Sequence, residues 1–165
     1  MFSRKPLTWI TLAAILLLSA AAPRGPAVAA ASDDDATARD RALYAGTWKI
    51  VAVESNGETK AQRDREVVIV NRVDGSWSMT VDGLEVNRGE SRIDPLASPP
   101  EIDVEITDGD GRGSVLKAIY EVGDSRRRLC FRGEQGWRPR EFRTQPGDCA
   151  VLVTFEKVPA TAPLP

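Results

Sequence analysis

Two Asp-Gly dipeptides eight residues apart, Asp74-Gly75 and Asp82-Gly83, constrain this chain more than any other feature. Asp-Gly between alternating residues signals a tight β-hairpin, because both central residues of such a turn need positive φ. The six residues between the dipeptides alternate cleanly, with Trp77, Met79 and Val81 on one face and Ser78 and Thr80 on the other. A strand bounded by two tight turns pairs antiparallel with both neighbours, so 66–73 and 84–93 are predicted as strands and the three together as a meander.

The same reading extends along the chain. An opening strand starts at Gly46-Thr47-Trp48 and runs to Val53; Ser55-Asn56-Gly57 is a turn signal, and 58–65 is a polar connection. Prolines between Asp94 and Pro100 interrupt the pattern. Ile102, Val104 and Ile106 then alternate with Asp103, Glu105 and Thr107. Strands are predicted again at 115–122, at 128–132, where Leu129 and Phe131 share a face, and at 150–158, with 133–147 a long loop or irregular strand. That makes eight short strands and no amphipathic helix long enough to cover a sheet. Closure removes both exposed edges, so the predicted fold is all-β, a single eight-stranded antiparallel up-and-down barrel over residues 43–158.

The ends of the chain are different in kind. Residues 1–29 have a basic start (Arg4, Lys5), an almost wholly apolar run from Leu7 to Ala22 and a small-residue Ala27-Val28-Ala29. This predicts a secretory signal peptide, an exported (periplasmic or secreted) product and no transmembrane anchor after cleavage. Residues 30–42, with Asp33, Asp34 and Asp35 in a row, are expected to be a flexible linker, within which Thr37 caps a short helical turn ending at Tyr44 and plugging the barrel. Residues 159–165 hold three prolines and are expected to be a disordered tail. Cleavage takes away three of the 22 basic side chains (Arg4, Lys5 and Arg24) and none of the 24 acidic ones, leaving 19 against 24, a formal charge of −5. That balance argues against nucleic acid as a partner. Export also allows a disulfide, and two cysteines permit one pairing, Cys130 to Cys149; the other reading is two separate thiols.

Several chemistries are excluded by residue type. The chain has no histidine, so Ser-His-Asp and Cys-His activation and imidazole metal sites are unavailable, and two cysteines are too few for structural zinc. Asp103 and Glu105 fall on the wet face of their strand rather than forming an acid/base pair. Asp108 to Gly113 begins like a calcium loop, but Arg112 occupies the fifth position and Ile119 the twelfth, so it is a hairpin loop. The expectation is a protein with no metal, no cofactor and no enzymatic activity.

Two sets of residues remain as candidate sites. Trp48, Trp77, Met79, Val104, Ile119 and Phe155 are predicted to face the barrel interior, where they either line a cavity for an apolar ligand or fill it. Arg126, Arg127, Arg128, Arg132, Arg138, Arg140 and Arg143 cluster with Trp137 and Phe142, against only Glu134 and Glu141. Arginines interleaved with aromatics suit an anionic partner, whereas a solvated loop would pair them with neighbouring acids.

Gly46-Thr47-Trp48 after a short helical turn resembles the first-strand Gly-x-Trp signature of lipocalins. The series continues with Pro100-Glu101-Ile102-Asp103-Val104, Ile119-Tyr120-Glu121-Val122-Gly123-Asp124, Leu129-Cys130-Phe131 and Arg138-Pro139-Arg140-Glu141-Phe142. In that order it resembles an uncharacterised, exported, lipocalin-like domain family of planctomycete bacteria, over about residues 43–157. The resemblance implies no catalytic residues, and Asp148-Cys149 departs from the small residues the family has there, which makes a bridge a feature of this member. The expected function is a monomeric binding module for a small apolar or amphipathic molecule. The alternative is an envelope-associated protein with a filled barrel that sets its arginine surface against an acidic partner.

Overall fold

The computed structural model describes residues 32–133 and 137–160. The expected signal peptide, and residues 161–165 of the expected tail, lie outside the described residues. One helix, α1 (Asp33–Tyr44), precedes nine strands: β1 (Gly46–Ser55), β2 (Glu58–Ala61), β3 (Val67–Asn71), β4 (Ser76–Val81), β5 (Leu84–Asp94), β6 (Glu101–Gly109), β7 (Val115–Val122), β8 (Arg126–Arg132) and β9 (Ala150–Lys157). From β3 to β9 each strand pairs antiparallel with the next, and β1 pairs with both β3 and β9. The result is a closed, lipocalin-like, eight-stranded antiparallel up-and-down barrel.

The ninth strand is an addition to the expected set. Asn56 and Gly57 both have positive φ, 53° and 78°, so they fold β2 back onto the second half of β1, pairing Ser55 with Glu58 and Ala52 with Ala61. Every residue of β2 is exposed, so the strand carries no apolar alternation to distinguish it from a plain connection. The two Asp-Gly turns also differ from each other. Asp82 and Gly83 both have positive φ, 51° and 81°, as a two-residue hairpin requires. At the first turn only Gly75 does, at 94°, and the amide of Gly75 donates to the Arg72 carbonyl, which is a longer loop closed by one left-handed glycine.

Helix α1 begins five residues earlier than expected and takes in most of the predicted linker. Ser32 rather than Thr37 is the N-cap: its hydroxyl accepts from the Asp35 amide while the Asp35 carboxylate accepts from the Ser32 amide. Asp33, Asp34 and Asp35 also sit where the positive end of the helix dipole favours acids. The helix closes one end of the barrel, as predicted for the shorter turn. Asp40 accepts from the Tyr120 hydroxyl at 2.8 Å, Arg41 bonds the Ser91 hydroxyl at 3.0 Å, and the Tyr44 carbonyl accepts from Trp48 Nε1 at 2.9 Å.

Apolar side chains lie on both sides of the β7–β9 wall. Inside are Trp48, Ile102, Tyr120 and Phe155, each at most 2% exposed. Outside, Ile119, Cys130 and Leu152 form a second cluster covered by Phe142 of the segment after β8. Arg138 straps that segment down. Its Nη1 donates to the carbonyls of Ile102 and Ala118, Nη2 pairs with Asp103, and Nε pairs with Glu101 at 2.9 Å.

Candidate functional site

The barrel encloses a partly open cavity of about 190 Å³. Its floor, toward α1, is made by Tyr44, Asn71, Arg127 and Phe155; Ile69, Met79, Val104 and Phe131 stand in its walls, and Ile106 and Leu116 lie toward the other end. Shape and lining both depend on the strand irregularities. The β5–β6 register shifts between Arg88 and Gly89, bringing the β6 backbone so close that a Cβ at Gly89 would sit on the Glu105 carbonyl oxygen and 2.9 Å from the Trp77 ring. Only glycine permits that approach, which leaves Trp77 in place against the cavity with its Nε1 donating to the Glu90 carbonyl at 3.2 Å.

Of the six residues predicted to face inward, Trp77, Met79, Val104 and Phe155 line the cavity. Trp48 is fully buried but lies behind the Arg127 guanidinium rather than on the cavity surface. Ile119 is a correction: it points to the outside of the barrel, into the cluster with Cys130 and Leu152. Alternation on β7 puts Ala118 and Tyr120 inside, so Ile119 takes the opposite face, and its complete burial is due to the Arg138 strap.

The predicted arginine surface is not one surface. Arg127 is inside the barrel, 2% exposed, with its guanidinium carbon 4.4, 4.8 and 4.3 Å from the ring centroids of Tyr44, Trp48 and Phe155. With the Asn71 amide oxygen facing it, Nη1 and Nη2 donate at 3.0 and 3.3 Å, while Nε has no acceptor among the described residues. Burial pulls its pKa below the ordinary arginine value. Each cation–π contact in such a dry site is worth roughly 2 kcal/mol, against a cost of several kcal/mol for burying the charge. Arg138 is consumed by the strap, Arg128 pairs with Glu121, and Arg143 pairs with Glu141 at 2.6 Å. Arg126 lies at the helix end of β8, whereas Arg132, Arg140 and Arg143 border an outer groove of about 400 Å³ with Trp137, which is 81% exposed.

The cysteines are free thiols, which corrects the expected bridge. The Gly133 amide donates to the Cys149 carbonyl, which places Cys149 opposite Gly133, whereas Cys130 is opposite Leu152. Three residues along a strand is about 10 Å, beyond the reach of a disulfide. Burial pushes the Cys130 thiol up to about 11, while Cys149 is exposed. A thiol reagent is therefore expected to label one cysteine per native chain, Cys149, and two after unfolding; two or none in the native protein would contradict the register. The unfolded thiol ionises near 9, so the stability Cys130 contributes is whole below pH 9 and is lost as pH rises through 11. Unfolding midpoints between pH 8 and 11 should fall further for the native chain than for Cys130→Ala.

Among the described residues, no group of three or more Cys, Asp or Glu side chains converges on a metal position. In the loop that begins like a calcium site, Asp108 is held by Arg88 at 2.6 Å and the Asp110 carbonyl accepts from Asn87 Nδ2. Asp103 faces outward and pairs with Arg138. No protein-family model, no curated protein and no solved structure matches the chain.

Proposed function

We propose that this protein is an exported, non-enzymatic binding module, a member of the lipocalin-like family its motifs resemble, and that it takes one small apolar molecule into its barrel. The observation that carries this reading is the cavity between β3–β6 and β8–β9, lined mainly by aliphatic and aromatic side chains. At about 190 Å³ it exceeds the roughly 150 Å³ that accommodates benzene in an apolar cavity, and it falls short of the roughly 300 Å³ at which drug-sized pockets begin. The fitting ligand is a single ring or a short chain. The reading that uses an arginine face against an acidic partner has less support, because the seven arginines are divided between the interior, the strap and two ends of the barrel.

Toluene tests the proposal. A ligand that binds only the folded state adds about 2.7 kcal/mol at a hundred times its Kd, which a urea melt resolves. The expected result is a toluene-dependent rise in midpoint for the native chain and none for Val104→Trp, whose indole would occupy the space. No rise in the native chain would overturn the reading without reference to the variant.

A further inference from the structure

The outer groove bordered by the strapped segment lies apart from the barrel cavity and differs from it in chemistry. Trp137 stands in its lining, 81% exposed, whereas the other described tryptophans, Trp48 and Trp77, are buried. A lone exposed apolar ring is ordinary, but this one is held in place. The next residue, Arg138, is fixed by its four contacts to β6 and β7, and Pro139 after it is buried. The segment that completes the groove is held as firmly. The Asp148 carboxylate accepts from the amides of Gln145 and Ala150 at 3.0 and 2.9 Å, the Thr144 hydroxyl donates to Glu54 at 2.9 Å, and the Gly147 amide donates to Asn56 at 3.2 Å. A groove already formed before a ligand arrives avoids the ordering cost of a site on free loops.

Its polar groups are mixed in sign. The Arg143–Glu141 pair, 2.6 Å apart and with its two side chains 62% and 63% exposed, lines the groove together with Gln145 and Asp148. Among the described residues, the guanidiniums of Arg132, Arg138, Arg140 and Arg143 are set against Glu141 and Asp148 in the lining and against Glu101 and Asp103, which pair with Arg138. Charges so balanced give an acidic partner little net field. They present donors and acceptors side by side around an exposed ring.

We infer that this groove is a second binding site, for a neutral pyranose unit of a glycan, which lays its C–H face on Trp137 while its hydroxyls bond the carboxylates and guanidiniums beside it. The slightly positive hydrogens of that face suit the negative face of an indole, and adjacent hydroxyls, each able to donate and accept, match carboxylate acceptors and guanidinium donors together. The groove, about 400 Å³ and open along one side, is in the range of small-ligand sites and lets a chain of sugars continue past it. This site does not depend on the barrel reading above.

Calorimetric titration of the native chain with cellohexaose, maltohexaose, mannohexaose and hexagalacturonate tests the inference. At least one of the three neutral hexasaccharides is expected to bind, with an affinity that salt does not change. Trp137→Ala, at an exposed position where folding is unaffected, should lose about tenfold or more in that affinity. Val104→Trp, which occupies the barrel cavity, should bind the saccharide as the native chain does. Binding of none of the neutral three, tighter binding of hexagalacturonate than of any of them, or binding that Trp137→Ala leaves intact would each overturn the inference. A toluene response without saccharide binding would overturn this site and leave the barrel reading standing.

Discussion

Trp48→Ala is expected to lower the free energy of unfolding by about 4 kcal/mol, read as a drop in urea midpoint at unchanged slope. The side chain is fully buried, packs against Val153 and Phe155, and donates from Nε1 to the carbonyl of Tyr44 at the end of α1. Its ring also lies under two cations, Arg127 at 4.8 Å and Lys157 at 5.1 Å. Alanine removes the apolar volume, leaves a helix-terminal carbonyl without its donor and exposes both cations to a void. Since a domain of this size has roughly 5–15 kcal/mol in all, the variant should be close to the limit of folding. Trp48→Phe should recover about half, because it restores volume and ring but not the hydrogen bond. A change below about 1 kcal/mol for alanine would mean that Trp48 does not hold the closed end.

The second large effect is expected at Arg138. Arg138→Ala removes four contacts at once, two to backbone carbonyls and two to carboxylates, from a side chain only 20% exposed. Hydrogen bonds to a charged group contribute about 1.5–3 kcal/mol each and are not additive here, so a loss of about 3 kcal/mol is expected. The distinctive result is local. With the strap released, Phe142 no longer covers the outer cluster, and Cys130 should become reactive to thiol reagents at a urea concentration where the barrel is still folded. A variant in which Cys130 stays as protected as in the native chain would show that Phe142 is held by something else.

The barrel was legible because period-two alternation and turn dipeptides act locally and independently: Trp77, Met79, Val104 and Phe155 point inward as their strands predicted. What could not be read came from contacts between distant segments. Ile119 looks like an interior residue on composition, and only the strap from Arg138, 19 positions later in the chain, makes its outer face a dry one. The cysteine pairing rested on compartment and count, which say nothing about the distance between Cys130 and Cys149 until the register is known. Arg127 is the instructive case. Leu129 and Phe131 share a face by period-two alternation, which puts Arg127 on it as well, a period that the flanking Arg126 and Arg128 mask. The helix start was also present in the sequence as Ser32-x-x-Asp35, an acid variant of the capping box hidden by a run of aspartates that suggested disorder.

The strap makes the two walls of the barrel unequal. Along β7, β8 and β9 the sheet is sandwiched, with Ala118, Leu129 and Val153 packed on one side and Ile119, Cys130 and Leu152 on the other. Along β3, β4 and β5 it is a single layer, broken by register shifts at Met79/Thr80 and Arg88/Gly89. Backbone amides in the sandwiched wall are expected to exchange through global opening and those of the single-layer wall through partial openings. Slower amide exchange along β7–β9 than along β3–β5 is the expected result, and a guest too wide for the resting cavity would then be admitted through the single-layer side.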